Sequence, residues 1–324
     1  MESIINMKTN FKPRITKVTY QVDGVNIDVN YQSVSAYKEI NKDELIVLLP
    51  GWSINAEAKS AMEIAKAFSE IGKRKVLIID TKTDKIVADA LFKEAIAVKN
   101  LITKINAKKI IIAGYSEGGI KAINLTTILQ TIPLINIEGL VLMESMGLYD
   151  QDSKQQVVGG FIKDSLLDTP IAITKRVIIK KDSGSIRKGL TAITDVFFGF
   201  IKEIKRVNLK YPNRMMSQLD EMFYKSKRLK DITVPVILIQ GINDPVSNPN
   251  KLIPDFDKLD ENTNYWERGS KNPKREEYLK KYVFTKSPYI RLLVGKIALP
   301  SHIMPFEDAK RIAKASIYLI NEAK

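Results

Sequence analysis

The first clear pattern along the chain is strict alternation. Residues Val18 to Tyr31 alternate apolar and polar on either side of Asp23-Gly24. Val18, Tyr20 and Val22 stand opposite Val25, Ile27, Val29 and Tyr31 across a two-residue turn, which predicts a β-hairpin. The alternation then gives way to unbroken apolar runs: Leu45–Leu49, Val76–Ile79 (closed by Asp80), Ile110–Ala113, Leu140–Met143 and Val234–Ile239. Runs of this kind predict strands buried on both faces. Between them, apolar residues recur at helical spacing. Helices are predicted over about Ala56–Ile71 and Lys85–Ile105, and in the segment carrying Ile120, Ala122, Ile123, Leu125, Ile128 and Leu129. Tyr289–Leu299 reads as a last strand. Phe306–Asn321 reads as a final amphipathic helix, with Ile312, Ala313, Ile317 and Ile320 on its apolar side. The alternation of strand and helix predicts an α/β architecture, a mostly parallel central sheet with helices on both faces.

The alternation stops at about Asp150. Residues 151–231 contain helical stretches but no clear core strand. Phe161, Leu166 and Leu167 mark one stretch, Ile193, Val196, Phe197, Phe200, Ile201 and Ile204 another, and Met215, Leu219, Met222 and Phe223 a third. Compact domains seldom hold a structureless loop of such length, so the segment reads as a helical cap insertion. The core domain is then residues 1–150 and 232–324, with the cap over 151–231. A polar stretch, Asn248 to Pro288, reads as an inserted loop with short helices.

Composition narrows the class. The chain has 324 residues, 44% hydrophobic and 27% charged, which is globular rather than disordered. Cysteine is absent, which excludes disulfides, thiol nucleophiles and thiolate metal sites. The single histidine, His302, argues against a multi-histidine metal centre. Lys8, Lys12, Arg14 and Lys17 interrupt the first 20 residues, so no apolar core of signal-peptide length is present there. The chain reads as soluble and cytoplasmic. Its net charge is +14, of which residues 151–231 carry +8, from 17 Lys and Arg against 9 Asp and Glu. A basic cap suits an anionic membrane surface or an anionic substrate, and it equally suits plain solvated helix faces. No nucleic-acid-binding fingerprint accompanies the charge, so nucleic acid is not an expected partner.

The candidate chemistry sits where the third core strand ends. Gly114-Tyr115-Ser116-Glu117-Gly118 follows an apolar run and precedes a helical pattern. A strand, a sharp turn and a helix are the context in which G-x-S-x-G forms a nucleophile elbow. The tight turn forces strained backbone angles on the serine. Side chains two positions away on either side would collide, and glycine leaves room for them. The turn also brings the N-terminus of the new helix, with its N–H groups, beside the hydroxyl. The plainer reading of the same residues is a glycine-rich turn with an ordinary serine.

From the Val18 hairpin to the end, the chain resembles the α/β-hydrolase superfamily. The motifs stand in that family's order: an oxyanion loop, the elbow serine, an acid after a late strand, and a histidine before the last helix. The resemblance implies an α/β-hydrolase fold and a catalytic set of Ser116 as nucleophile, Asp244 as acid and His302 as base. Asp244 follows the apolar run ending at Ile239-Gln240-Gly241; taken alone, it reads as a turn residue in Asn243-Asp244-Pro245. Glu144, at the end of the preceding core strand, is the reserve acid. His302 lies in Pro300-Ser301-His302-Ile303, between the last strand and the last helix, and it is the chain's one imidazole. Pro50-Gly51-Trp52-Ser53 resembles the oxyanion loop, with Pro50 where a histidine is usual. The backbone N–H groups of Trp52 and Glu117 are the implied oxyanion donors, and the Trp52 side chain can equally be a core aromatic. No metal or organic cofactor is implied. The expected substrate is a small molecule, a carboxylic ester with an apolar acyl or aromatic group. The same three residues serve thioesterases and amide- or carbon–carbon-cleaving hydrolases. A non-catalytic ligand-binding protein on this scaffold is the alternative from another class.

Overall fold

The structure is a computed structural model and is described for residues 14–37, 41, 43–51, 54–85, 87, 89–145, 148, 194, 226–241, 244, 286–287, 289–295 and 309–324. The helical cap expected at 151–231 lies outside the described residues except for residue 194 and the segment from 226. The 248–288 insert lies outside them except for 286 and 287.

The hairpin forms as expected. Strands β1 (Thr16–Val22) and β2 (Val25–Val34) pair antiparallel from Val22↔Val25 to Thr16↔Tyr31. Asp23 and Gly24 both take positive φ, 48° and 73°, as a two-residue turn between twisted strands requires. Six further strands follow: β3 (Glu44–Leu49), β4 (Lys75–Thr83), β5 (Lys109–Tyr115), β6 (Asn136–Met143), β7 (Val236–Gly241) and β8 (Ile290–Gly295). They join the hairpin in one eight-stranded sheet of order β1-β2-β4-β3-β5-β6-β7-β8. β2 runs antiparallel to β4, and β3 to β8 are mutually parallel.

Among the described residues, four helices cover the sheet: α1 (Lys59–Gly72), α2 (Ala90–Ile105), α3 (Gly118–Leu129) and α4 (Ala309–Glu322). Successive strand side chains point to opposite faces, and the apolar runs supply both. Leu45, Val47, Leu49, Ile110 and Ile112 pack with Val98, Leu101 and Ile102 of α2 and Ile123, Leu125 and Leu129 of α3. Ile46, Leu48, Ile111, Ala113 and Val141 pack with Ile64 and Phe68 of α1 and Ile312 and Ile320 of α4. Unbroken apolar strands are therefore what a sheet with two covered faces demands. A short 3₁₀ helix, Ser226–Asp231, puts Leu229 into the first of these cores.

Two helices start later than the periodicity predicts, for local reasons. Before α1, the Asn55 side chain accepts the Glu57 N–H (3.0 Å), and the Asn55 carbonyl accepts the Ala58 N–H (3.0 Å). That turn holds residues 55–58 out of the helix. Before α2, Asp84 is tied to the hairpin. Its carboxylate accepts from the N–H (3.2 Å) and Nδ2 (3.1 Å) of Asn26, and its own N–H donates to the Asn26 carbonyl (3.1 Å). Asp89 then takes a left-handed φ of 59° before the helix begins.

The amino ends of the strands carry an ionic knot. Between β5 and β6 the register jumps from Ile110↔Ile137 to Ile111↔Gly139, leaving Glu138 as the extra residue of a bulge. Glu138 pairs with Arg74, which also reaches Glu44 (2.9 Å), and with Lys324 near the carboxyl end of the chain (2.7 Å). Burial works to raise the Glu138 pKa, but hydrogen bonds and charge from Arg74 and Lys324 outweigh it and hold the carboxyl below its ordinary value. A depressed carboxylate stabilises the fold above its unfolded pKa, and that contribution fades as the pH falls through the folded value. Arg74→Met is expected to cost roughly 1.5–3 kcal/mol at neutral pH, the range for hydrogen bonds to charged groups. The gap from wild type should narrow as the pH is lowered through the carboxylate range. Urea melts at a series of pH values measure both, and a gap that widens toward acid contradicts this account.

Candidate active site

Ser116 is placed where β5 hands over to α3, and it takes a left-handed φ of 53°. For a residue with a side chain this is a strained conformation, held only when its surroundings fix it. The surroundings do so here. The Ser116 N–H donates to the Met143 carbonyl at the end of β6 (3.0 Å), and the Gly119 N–H donates to the Ser116 carbonyl (3.0 Å). Ser116 is 4% exposed.

The glycines around it are sterically required. A Cβ on Gly114 would lie 2.5 Å from the Gly118 carbonyl oxygen and 2.8 Å from the Ala122 Cβ. One on Gly118 would lie 2.1 Å from the Leu49 carbonyl oxygen and 2.5 Å from that of Pro50. The elbow is thus wedged against the loop after β3. That loop meets the serine directly: a Cβ on Gly51 would lie 2.8 Å from the Ser116 Cβ and 3.3 Å from its Oγ. The expected oxyanion loop and the expected nucleophile are therefore neighbours. Trp52 lies outside the described residues. Gly119, beyond the motif itself, is equally constrained, because a Cβ there would lie 1.8 Å from the Ser145 Oγ and 2.5 Å from its Cβ.

The loop after Gly51 is anchored by two residues that the sequence did not single out. The Ile54 N–H donates to the Gly51 carbonyl (3.2 Å). Asp80, at 8% exposure, accepts the Ala56 N–H (3.3 Å) and also a bond from Asn30 Nδ2 (3.0 Å). Gln32 Nε2 donates to the Ala56 carbonyl. Both main-chain groups of Ala56 are thereby fixed to the sheet.

Asp244 stands just past β7, 1% exposed, with its N–H bonded to the Gly241 carbonyl (3.1 Å). Glu144 stands just past β6, fully buried, with φ 45° and its N–H bonded to the Ile239 carbonyl (2.7 Å). Ser116, Glu144 and Asp244 therefore follow three adjacent strands at the carboxyl edge of the sheet, where open α/β sheets form their sites. His302 lies outside the described residues. Among the described residues, no group of three or more His, Cys, Asp and Glu side chains could hold a metal ion. Likewise, no described helix is long and apolar enough to cross a membrane.

A buried ionic cluster lies under the elbow. Lys121 on α3 pairs with Glu117 (3.1 Å) and with Glu94 of α2 (3.0 Å). Its Nζ also reaches Thr81 Oγ1 of β4 (3.2 Å), which donates to Glu94 (2.7 Å). Burial works to lower the Lys121 pKa, yet the charges and hydrogen bonds of Glu117 and Glu94 outweigh it and raise it above the ordinary value. Lys121 is thus a fixed cation. The four-residue spacing of Glu117 and Lys121 is visible in the sequence; the partners on α2 and β4 are not.

Neither a scan of protein-family models nor a search of curated proteins finds a match to this chain. Solved structures do match. An α/β hydrolase enzyme from a Medee basin deep-sea metagenome library is 15% identical over 94% of this chain and 97% of its own, with a TM-score of 0.55. An esterase of Pyrococcus furiosus is 14% identical over 96% of this chain and 91% of its own, with a TM-score of 0.53. A bromoperoxidase from Bacillus anthracis is 12% identical over 94% of this chain and 100% of its own, with a TM-score of 0.55. At such identities the likeness is one of fold.

The glycine geometry makes a graded prediction. Gly119→Ala is expected to destabilise the protein by roughly 1–3 kcal/mol, as overpacking does. Adding Ser145→Gly should recover a good part of the loss, because the obstructing atoms belong to one side chain. Gly118→Ala meets main-chain oxygens, and no side-chain change should rescue it. Thermal melts of the variants check the order, and equal rescue of both contradicts the packing described.

Proposed function

We propose, on the premise that this chain has the α/β-hydrolase fold, that it is a serine hydrolase cleaving carboxylic esters through an acyl-enzyme intermediate. The observation that carries the reading is the strained, buried Ser116, wedged between the first turn of α3 and Gly51. Strain held in place by four glycines is what a functional serine requires and an ordinary turn serine does not.

In this reading Ser116 Oγ attacks the substrate carbonyl while His302 takes its proton. The backbone N–H groups of Trp52 and Glu117 receive the charge that develops on the carbonyl oxygen. His302 returns the proton to the departing alcohol, and water activated by the same imidazole then releases the acyl group. Asp244 holds the imidazole in the productive tautomer and stabilises its charged form. Apart from the hydrolytic water, each step uses side chains and main-chain groups of the chain itself. The aromatic and methionine residues of 151–231, such as Phe161, Phe197, Phe200 and Met215, support an apolar acyl or aromatic substrate. Thioesters and amides are the competing substrates for the same chemistry.

One observation favours a second assignment of the acid. Glu144 is as deeply buried as Asp244 and directly follows β6, the strand between those preceding Ser116 and Asp244. The two assignments separate by mutation.

A fluorophosphonate probe is expected to label wild-type protein at Ser116, and Ser116→Ala should take none. Label retained in that variant removes Ser116 from the reaction. With a panel of chromogenic esters and thioesters of varied acyl length, Asp244→Asn should lower kcat by about 10⁴-fold, the loss seen when a triad aspartate is neutralised. Glu144→Gln should change it little; the reverse pattern moves the acid to Glu144. His302→Ala should lose roughly 10³-fold or more, keeping what the oxyanion site and binding supply. A folded His302→Ala variant with near-wild-type turnover overturns the mechanism.

A further inference from the structure

The cluster under the elbow is costly for a merely structural device. Two carboxylates and an ammonium are buried together, where apolar residues of similar volume would pack as well or better. Its position is specific. Glu117 directly follows the nucleophilic serine and occupies the N-cap position of α3, at φ −58° and ψ −34°. A carboxylate at a helix N-terminus is attracted to the N–H groups and positive dipole end of the first turn. A developing oxyanion needs those same groups. The Glu117 carboxylate makes no capping bond here. It turns along the helix to Lys121, one turn on, whose ammonium is held by Glu94 and Thr81 from two other elements.

We propose that Lys121 is a positioning residue of the oxyanion site, drawing the Glu117 carboxylate away from the N-terminus of α3 so that its first turn serves the anion formed on the substrate. The inference rests on the serine-hydrolase reading above. Glu94 and Thr81 fix the ammonium, so the diversion does not depend on a mobile surface lysine. Without Lys121, the Glu117 carboxylate would be a buried anion beside the forming oxyanion. It would repel that anion and compete for its donors. Substrate in the ground state carries no such charge, so the penalty falls on the transition state alone.

The test is a double-mutant cycle on kcat with the best ester, using Lys121→Met, Glu117→Gln and the pair together. Lys121→Met is expected to lower kcat about 10- to 100-fold with KM nearly unchanged. The same substitution should cost less than about threefold in the Glu117→Gln background, where there is no carboxylate to divert. Affinity for a trifluoromethyl ketone analogue, which forms an oxyanion on Ser116, should fall by the same factor as kcat, while a non-reactive ester isostere should bind as before. If Lys121→Met does not fold, Lys121→Gln, which removes the charge but keeps an N–H donor toward the carboxylates, takes its place; its loss of kcat should be smaller, and it should again vanish in the Glu117→Gln background. A reactive wild type with a folded variant of unchanged kcat overturns this inference alone, as does a loss of equal size in both backgrounds. A wild type that neither labels nor turns over any ester or thioester overturns the serine-hydrolase reading and this inference with it.

Discussion

Crowding between main-chain segments at the end of β5 is the constraint on which the rest of the structure depends. Two β-strands and a helix meet there within a few ångströms. Gly114 touches the first turn of α3, Gly118 touches the carbonyls of Leu49 and Pro50, and Gly119 touches Ser145. No side chain larger than hydrogen fits at these three positions without movement. The close approach makes the serine's left-handed backbone tenable, because the turn has nowhere else to go. It also seats the loop after β3 against the same serine. Candidate nucleophile, helix terminus and candidate oxyanion loop are thus one packing arrangement.

The sheet edge shows the same device twice. Ser116 and Glu144 each follow the last residue of a strand, and each has positive φ. Each donates its N–H to a carbonyl of the neighbouring strand, Ser116 to Met143 at the end of β6 and Glu144 to Ile239 within β7. The ladder therefore continues one residue beyond the strand while the side chain is turned by the left-handed backbone. The inter-strand bond helps offset a conformation that is otherwise unfavourable. Asp244, past β7, lies three residues beyond its strand end and bonds to Gly241 through a turn instead.

Much of this was legible in the amino-acid pattern. Apolar runs without alternation predicted doubly covered strands, and the structure places one face of β3 on α2 and α3 and the other on α1 and α4. Gly114, Ser116 and Gly118 were visible because steric demand at an elbow is local and leaves a fixed spacing. The late starts of α1 and α2 were not visible. They depend on an asparagine side chain closing a turn and on a hydrogen-bonded pair 58 positions apart, Asn26 and Asp84. Periodicity carries no record of either. The second glycine of the pair, Gly119, belongs to the same class, since its need comes from Ser145, two residues beyond the end of β6.

The Lys121 cluster marks where sequence reading and structure part. A glutamate and a lysine four apart on a helix ordinarily mean a solvated surface pair worth a few tenths of a kcal/mol. Here both are buried, and a carboxylate from α2 completes the group. What converts a weak surface motif into a fixed internal charge is the position of α3 itself, packed beside α2 on one face of the sheet with its N-terminus at the elbow. The glycines that allow α3 to sit so close also force its first turn inward. Glu117 enters the interior with it, and a charged side chain so placed must have a partner. The ionic cluster is therefore a consequence of the crowding at the elbow, and the structure answers the buried charge with a lysine held from two further elements.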